Sequence, residues 1–206
     1  MICFVSCKSD SATVATFCDT SCLKDSIKFI KSEHPYQPYL YISAKNCAAD
    51  SITWSYMDLG VNRKMSLKDL VGTDVKLNSK AVGCFIQDTS FALVYFNDCE
   101  TGRGISIKLP YAQGGKKQSI VSALTKFDPK FSIADNLLVY SDRGNLFVED
   151  MATGKKDNIT FGERVEIDYD HLHDYIDSVN VTPTTIWAKV KIGKEWKELD
   201  KKISLK

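Results

Sequence analysis

Residues 127–161, FDPKFSIADNLLVYSDRGNLFVEDMATGKKDNITF, constrain the fold of this chain more than any other stretch. Short apolar runs alternate there with three turn signals: Ala134-Asp135-Asn136, Asp142-Arg143-Gly144-Asn145 and Ala152-Thr153-Gly154-Lys155. The runs at 137–140 and 146–148 are too short for stable helices. Asn, Asp and Gly supply the backbone conformations that reverse a strand. Together these features predict a small antiparallel sheet.

The same alternation recurs along the chain. Residues 39–44, 52–57, 82–87, 91–96, 105–109, 185–192 and 195–199 read as strands, with a short final run at 203–205; residues 26–31 alternate with period two, while Leu23, Ile27 and Ile30 would equally suit one helical turn. Turns are expected at Asp88-Thr89-Ser90, Glu100-Thr101-Gly102-Arg103-Gly104 and Gly193-Lys194. The strongest apolar runs begin near Ile52, Phe91, Leu137 and Ile186. Their period of roughly 40–50 residues is the spacing expected when each repeat is one multi-stranded sheet. An all-β fold follows: a β-propeller-like array of antiparallel sheets over residues 17–206, with a β-sandwich as the alternative. Trp187 and Trp196 flank the last turn and are expected to pair across it.

One family resemblance adds to this pattern. Asp128-Pro129, Phe131-Ser132, the strand 137–140, Ser141-Asp142 with Gly144, the strand 146–148, Asp150, Thr153-Gly154 and Ile159-Thr160 follow one another in 127–161. That order resembles the repeat of the TolB-like propellers. The segment departs from it at Ile133-Ala134-Asp135, where the family carries Pro-Asp-Gly. The resemblance covers about 35 of the 206 residues. It implies a blade and a binding scaffold, and no activity, because such folds host many functions.

The N-terminus reads MICFVSC before the composition shifts to Ser, Thr and small residues. Phe4-Val5-Ser6-Cys7 resembles the cleavage box of bacterial lipoproteins, where a small residue precedes the cysteine that becomes lipidated. That resemblance implies a signal remnant and tether over 1–16, with Cys7 as the lipid attachment point in a bacterial cell envelope. Five residues lie between Met1 and Cys7, fewer than the about 7–15 apolar residues of a full signal core. No later stretch approaches the ~18 apolar residues of a spanning helix, so membrane contact is expected through the lipid alone. Seven cysteines (Cys3, Cys7, Cys18, Cys22, Cys47, Cys84 and Cys99) allow one or two disulfides in an oxidising compartment, with the pairing open.

Twenty-seven basic and 26 acidic residues leave a formal charge of +1. No block of one sign offers the footprint that tracks a phosphate backbone, so no nucleic-acid partner is expected. Neither a Gly-x-Ser-x-Gly elbow, a phosphate-binding GxxxxGK[ST] loop nor an HExxH pair occurs, and no cofactor is expected. The densest group of chemically able side chains lies at 166–179. Tyr169, Leu172, Ile176 and Val179 fall at helical spacing there, which predicts a short amphipathic helix over 168–179. Asp168 and Asp170 would favour its N-terminus. Asp170, His171, His173, Asp174 and Asp177 form a candidate polar or metal cluster, although no metal is assigned. On a helix the two imidazoles diverge; on a strand they share a face. Tyr36, Tyr39 and Tyr41, beside Pro35 and Pro38, form a candidate binding surface. The leading expectation is a non-enzymatic, lipid-anchored envelope protein that binds a protein or glycan partner. A small hydrolase or metal-dependent enzyme using the 168–177 cluster, and a structural accessory subunit, stay open beside it.

Overall fold

The computed structural model describes residues 23–59 and 62–205. They form an all-β fold of four four-stranded sheets. The first sheet takes β1 (Ile27–Ile30), β2 (Pro38–Lys45), β3 (Ala48–Tyr56) and β4 (Arg63–Ser66) in chain order. A single-turn helix, α1 (Leu67–Val71), follows. The Ser66 hydroxyl accepts from the Asp69 amide at its start, and Gly72 ends it at φ 89°. The second sheet holds β5 (Leu77–Gln87), β6 (Phe91–Asp98), β7 (Gly104–Pro110) and β8 (Gln118–Ile120).

The other two sheets are interleaved. The chain forms β9 (Ala123–Leu124), β10 (Phe131–Ile133), β11 (Leu137–Asp142), β12 (Asn145–Asp150) and β13 (Lys156–Thr160) in turn. It then forms β14 (Ile176–Val181), β15 (Thr185–Ile192) and β16 (Glu195–Lys202). The third sheet is ordered β9-β11-β12-β13 and the fourth β10-β14-β15-β16. Strand β10 runs parallel to β14, with Phe131 opposite Val179 and Ile133 opposite Val181. The chain thus leaves the third sheet, lends one strand to the fourth, and returns. The β11–β12 hairpin turns through Arg143 at φ 48° and Gly144 at φ 85°. Positive φ at both central residues matches the right-handed twist of the flanking strands.

Side-chain alternation decides how the sheets pack. In β6, Ala92, Val94 and Phe96 enter a buried cluster with Leu40, Ile42, Ile52 and Trp54 of the first sheet. Leu93, in the opposite phase, meets Leu138 of β11 and Met151. In β11, Leu137 and Val139 face Ile186, Ala188 and Val190 of β15. The four sheets therefore stack face to face in chain order, and a two-sheet sandwich is not formed. The apolar runs that begin near Ile52, Phe91, Leu137 and Ile186 are β3, β6, β11 and β15, one per sheet.

Three expectations are corrected. First, the helix over 168–179 is a 3-10 turn, Tyr169–Asp174, followed by β14. His171 sits at φ −126°, ψ 43°, outside helical geometry. A β-bulge between Ile176 and Ser178 then places Ile176 and Val179 in the same core. Their separation of three imitates a helix. Second, Phe131-Ser132 belongs to the fourth sheet, not to the sheet of 137–160. Third, the tight turn pairs Trp187 with Asp200 and Trp196 with Lys191, so the two indoles are not partners.

Cys7 and the 1–16 segment lie outside the described residues. Cys47 and Cys99 are disulfide-bonded. Cys84 is a free thiol, and burial pushes its pKa well above the ordinary value. Among the described residues, no helix is long and apolar enough to cross a membrane.

Candidate functional site

The turn between β1 and β2 presents Tyr36. Two successive backbone bonds tighten it: the His34 amide donates to the Lys31 carbonyl at 3.1 Å, and the Gln37 amide to the His34 carbonyl at 2.9 Å. Pro35 and Pro38 remove further backbone freedom, and Gln37 takes φ 43°. The Tyr36 amide donates to His34 Nδ1 at 3.2 Å, and the two rings lie 5.6 Å apart. Tyr36 is thus held on a stiff turn while its side chain stays 64% exposed. An aromatic ring fixed in solvent loses little conformational entropy when something covers it.

A cavity of about 300 Å³ opens beside that ring, lined by Pro35, Tyr36, Tyr56, Asp58, Leu59 and Thr89. Three sequence-distant segments build it. Register places Pro38 opposite Tyr56, which brings the end of β3 beside the Tyr36 turn. The β5–β6 turn supplies Thr89, and three contacts stitch that turn to the first sheet. The Tyr56 hydroxyl donates to the Thr89 carbonyl at 3.0 Å. Lys31 pairs with Asp88 at 2.6 Å. Tyr111, whose amide donates to the Ser90 carbonyl, lies 5.0 Å from the Tyr56 ring. Burial raises the Tyr56 hydroxyl above its ordinary pKa, while the nearby Arg63 guanidinium pulls the other way.

The other two tyrosines of the expected surface lie elsewhere. Leu40 and Ile42 enter the core, so Tyr39 and Tyr41 face the opposite side of β2, with rings 4.5 Å apart. Tyr39 is 7% exposed. Tyr41 donates to Met57 Sδ at 3.4 Å and lies under the Lys28 ammonium. Neither residue lines the cavity.

The acidic and histidine cluster does not converge. His171 is exposed and pairs with Asp168 at 3.0 Å, a contact that raises the imidazole and lowers the carboxyl. His173 turns inward to the buried Asp128 at 2.8 Å. Asp170 reaches Arg103 on the β6–β7 turn at 2.8 Å, and Asp177 faces Lys130 and Lys189. Asp174 is exposed. Of these side chains, Asp170 and His173 tie the 3-10 turn to neighbouring segments. Among the described residues, no group of three or more His, Cys, Asp or Glu is placed to hold a metal ion.

Sequence reasoning found Tyr36 and missed Tyr56, Asp58, Leu59 and Thr89. Prolines around Tyr36 are a local signal, whereas the others arrive by strand register and sheet packing. Asp128 was missed as the partner of His173, although Asp128-Pro129 had been marked as part of the repeat-like segment. Comparison with family models, with curated proteins and with solved structures finds no match to this chain.

Proposed function

We propose that the protein is a non-enzymatic binding domain: a propeller-like stack of sheets that engages a protein or glycan partner through the cavity beside Tyr36. One observation carries this reading. A tyrosine 64% exposed on a stiff turn opens onto a concave, largely apolar cavity of about 300 Å³, the size at which small recognition pockets begin. Exposed large apolar groups cluster at the same end of the first sheet, where Ile30, Met57 and Leu59 join Tyr36. Disulfide-bonded Cys47 and Cys99 support an oxidising compartment, in line with export and with a lipid on Cys7.

Random peptides and a glycan array, each probed with the parent protein and with Tyr36→Ala, test the binding reading. Retention of at least one probe class should fall by about thirtyfold or more in the variant, the loss typical of an aromatic hot spot. If every probe binds both proteins alike, the reading fails. Anchoring is checked separately: fatty-acid label should enter the parent and be absent from Cys7→Ser.

A further inference from the structure

We propose that residues 18–22 form a covalent strap across the first and second sheets, with Cys22 bonded to Cys47 and Cys18 bonded to Cys99. Residues 18–22 lie outside the described residues; the two points that they must reach lie inside. Cys47, in the β2–β3 turn, and Cys99, in the β6–β7 connection, are disulfide-bonded, whereas Cys84 is a free thiol. The Leu23 amide donates to the Cys47 carbonyl at 3.1 Å. Through the peptide bond to Leu23, the Cα of Cys22 is therefore held within about 8 Å of the Cα of Cys47. A disulfide spans about 4.4–6.8 Å between Cα atoms, so Cys22 is the cysteine delivered to Cys47.

Strand direction selects the other pair. Trp54, late in β3, donates its indole N–H to the Pro110 carbonyl at the end of β7 at 2.9 Å. Just beyond, the Tyr56 and Tyr111 rings lie 5.0 Å apart. Strands β3 and β7 thus run the same way in stacked sheets. The turns that precede them, with Cys47 and Cys99, share the end opposite the Tyr36 cavity. Stacked sheets lie about 10 Å apart, wider than the span of one disulfide. The four residue steps from Cys18 to Cys22 reach up to about 14 Å, enough to cross from one sheet to the next. Cys3 and Cys7 stay outside both bridges, which leaves the Cys7 sulfur available for a lipid. Each bridge forms by exchange with a disulfide oxidant: the two cysteine thiols join through a new S–S bond, and the oxidant's S–S bond breaks, takes up both electrons and both protons, and leaves as two thiols. The strap then clamps, at one end, the two sheets whose other end builds the Tyr36 cavity.

Disulfide mapping of the unreduced full chain tests the pairing. Cleavage before Asp19 parts Cys18 from Cys22, and cleavage before Asp88 parts Cys84 from Cys99. Linked peptides joining Cys22 to Cys47 and Cys18 to Cys99 are expected. A Cys47–Cys99 link, the exchanged pairing, a link to Cys3 or Cys7, or free thiols at Cys47 and Cys99 overturns the strap. Clamping has its own readout. Cys18→Ser with Cys99→Ser removes the bridge to the second sheet and leaves the one to the first. Amide exchange in β2 and β3 should then quicken about tenfold or more, while β14 and β15 keep the parent rates. The parent protein compared before and after reduction by a small thiol gives the same readout without a substitution. Unchanged exchange in β2 and β3 after either treatment overturns the clamp.

Discussion

The His173 ring is bracketed by two acceptors, the Asp128 carboxylate 2.8 Å from Nε2 and the Ile176 carbonyl 3.3 Å from Nδ1. Only the doubly protonated imidazole donates to both. The Asp128 contact raises the His173 pKa above its ordinary value, while partial burial and Lys130 oppose the rise. A raised folded-state pKa means that the folded chain binds the proton more tightly than the unfolded one. The stabilisation is therefore complete below about pH 6.5, the ordinary histidine value, and is lost as pH climbs through the higher folded value. Replacing His173 with Ala removes the imidazole partner of Oδ2 on a carboxylate that is 3% exposed, while Oδ1 keeps the Lys130 amide at 2.9 Å. The imidazole itself is 37% exposed, so solvent softens the loss to about 1–3 kcal/mol. Urea midpoints should fall between about pH 6 and pH 8 in the parent protein, and His173→Gln should flatten that fall. An equally steep fall in the variant would show that the pair does not couple folding to pH. His171→Gln, at an exposed pair, should leave the slope nearly unchanged.

At the scale of elements, one glycine sets how closely the second and third sheets approach. A Cβ at Gly104 would stand 1.8 Å from the Ala123 carbonyl oxygen, a backbone atom that no rotamer change can move. Gly104→Ala should cost about 3 kcal/mol, the upper end for overpacking, read as a lowered thermal or urea midpoint; a neutral change would mean that the strands slide apart freely. Elements whose determinants are local were legible in the sequence. Strands β6, β11 and β12 are short apolar runs, and Asp88, Gly102, Asn136, Gly144 and Gly154 stand in their turns where φ is positive, with Arg143 the exception. One repeat signal was present and overlooked. Asp98 with Thr101-Gly102, and Asp150 with Thr153-Gly154, build the same turn, in which the Asp carboxylate accepts from the Thr amide and hydroxyl. Strand β10 was illegible in its placement, because a three-residue strand chooses its parallel partner β14 through tertiary contacts alone. The bulge in β14 hid a strand behind helical spacing. In the candidate site, Tyr36 was visible from its flanking prolines. Tyr56 reads as a core residue of β3, and it reaches the cavity only because register and the β5–β6 turn carry it there.

The whole molecule divides into two double layers joined by a thin seam. The first and second sheets share the cluster around Leu40, Val94 and Ile107, and the third and fourth share the one around Val139, Val148 and Ile186. Between these lies a smaller cluster whose buried members are Leu93, Leu138 and Met151. Arg103 to Asp170 at 2.8 Å and the Thr125 hydroxyl on Asn97 add polar links across it. Hydrophobic stabilisation scales with apolar area removed from water, so each double layer is held internally more strongly than to the other. Cooperativity of the whole then depends on the seam, and weakening it should release two separate transitions. Leu138→Ala with Arg103→Ala removes a buried side chain, worth about 2–5 kcal/mol, and one ion pair. Trp54 reports the first double layer once Trp187→Phe and Trp196→Phe silence the second, where amide exchange of β11 and β12 serves instead. In the otherwise unaltered background the two probes should share one urea midpoint. With the seam weakened, the midpoints should separate. If they still coincide, the four sheets unfold as one unit, and the packing between second and third sheets is stronger than its three buried side chains indicate.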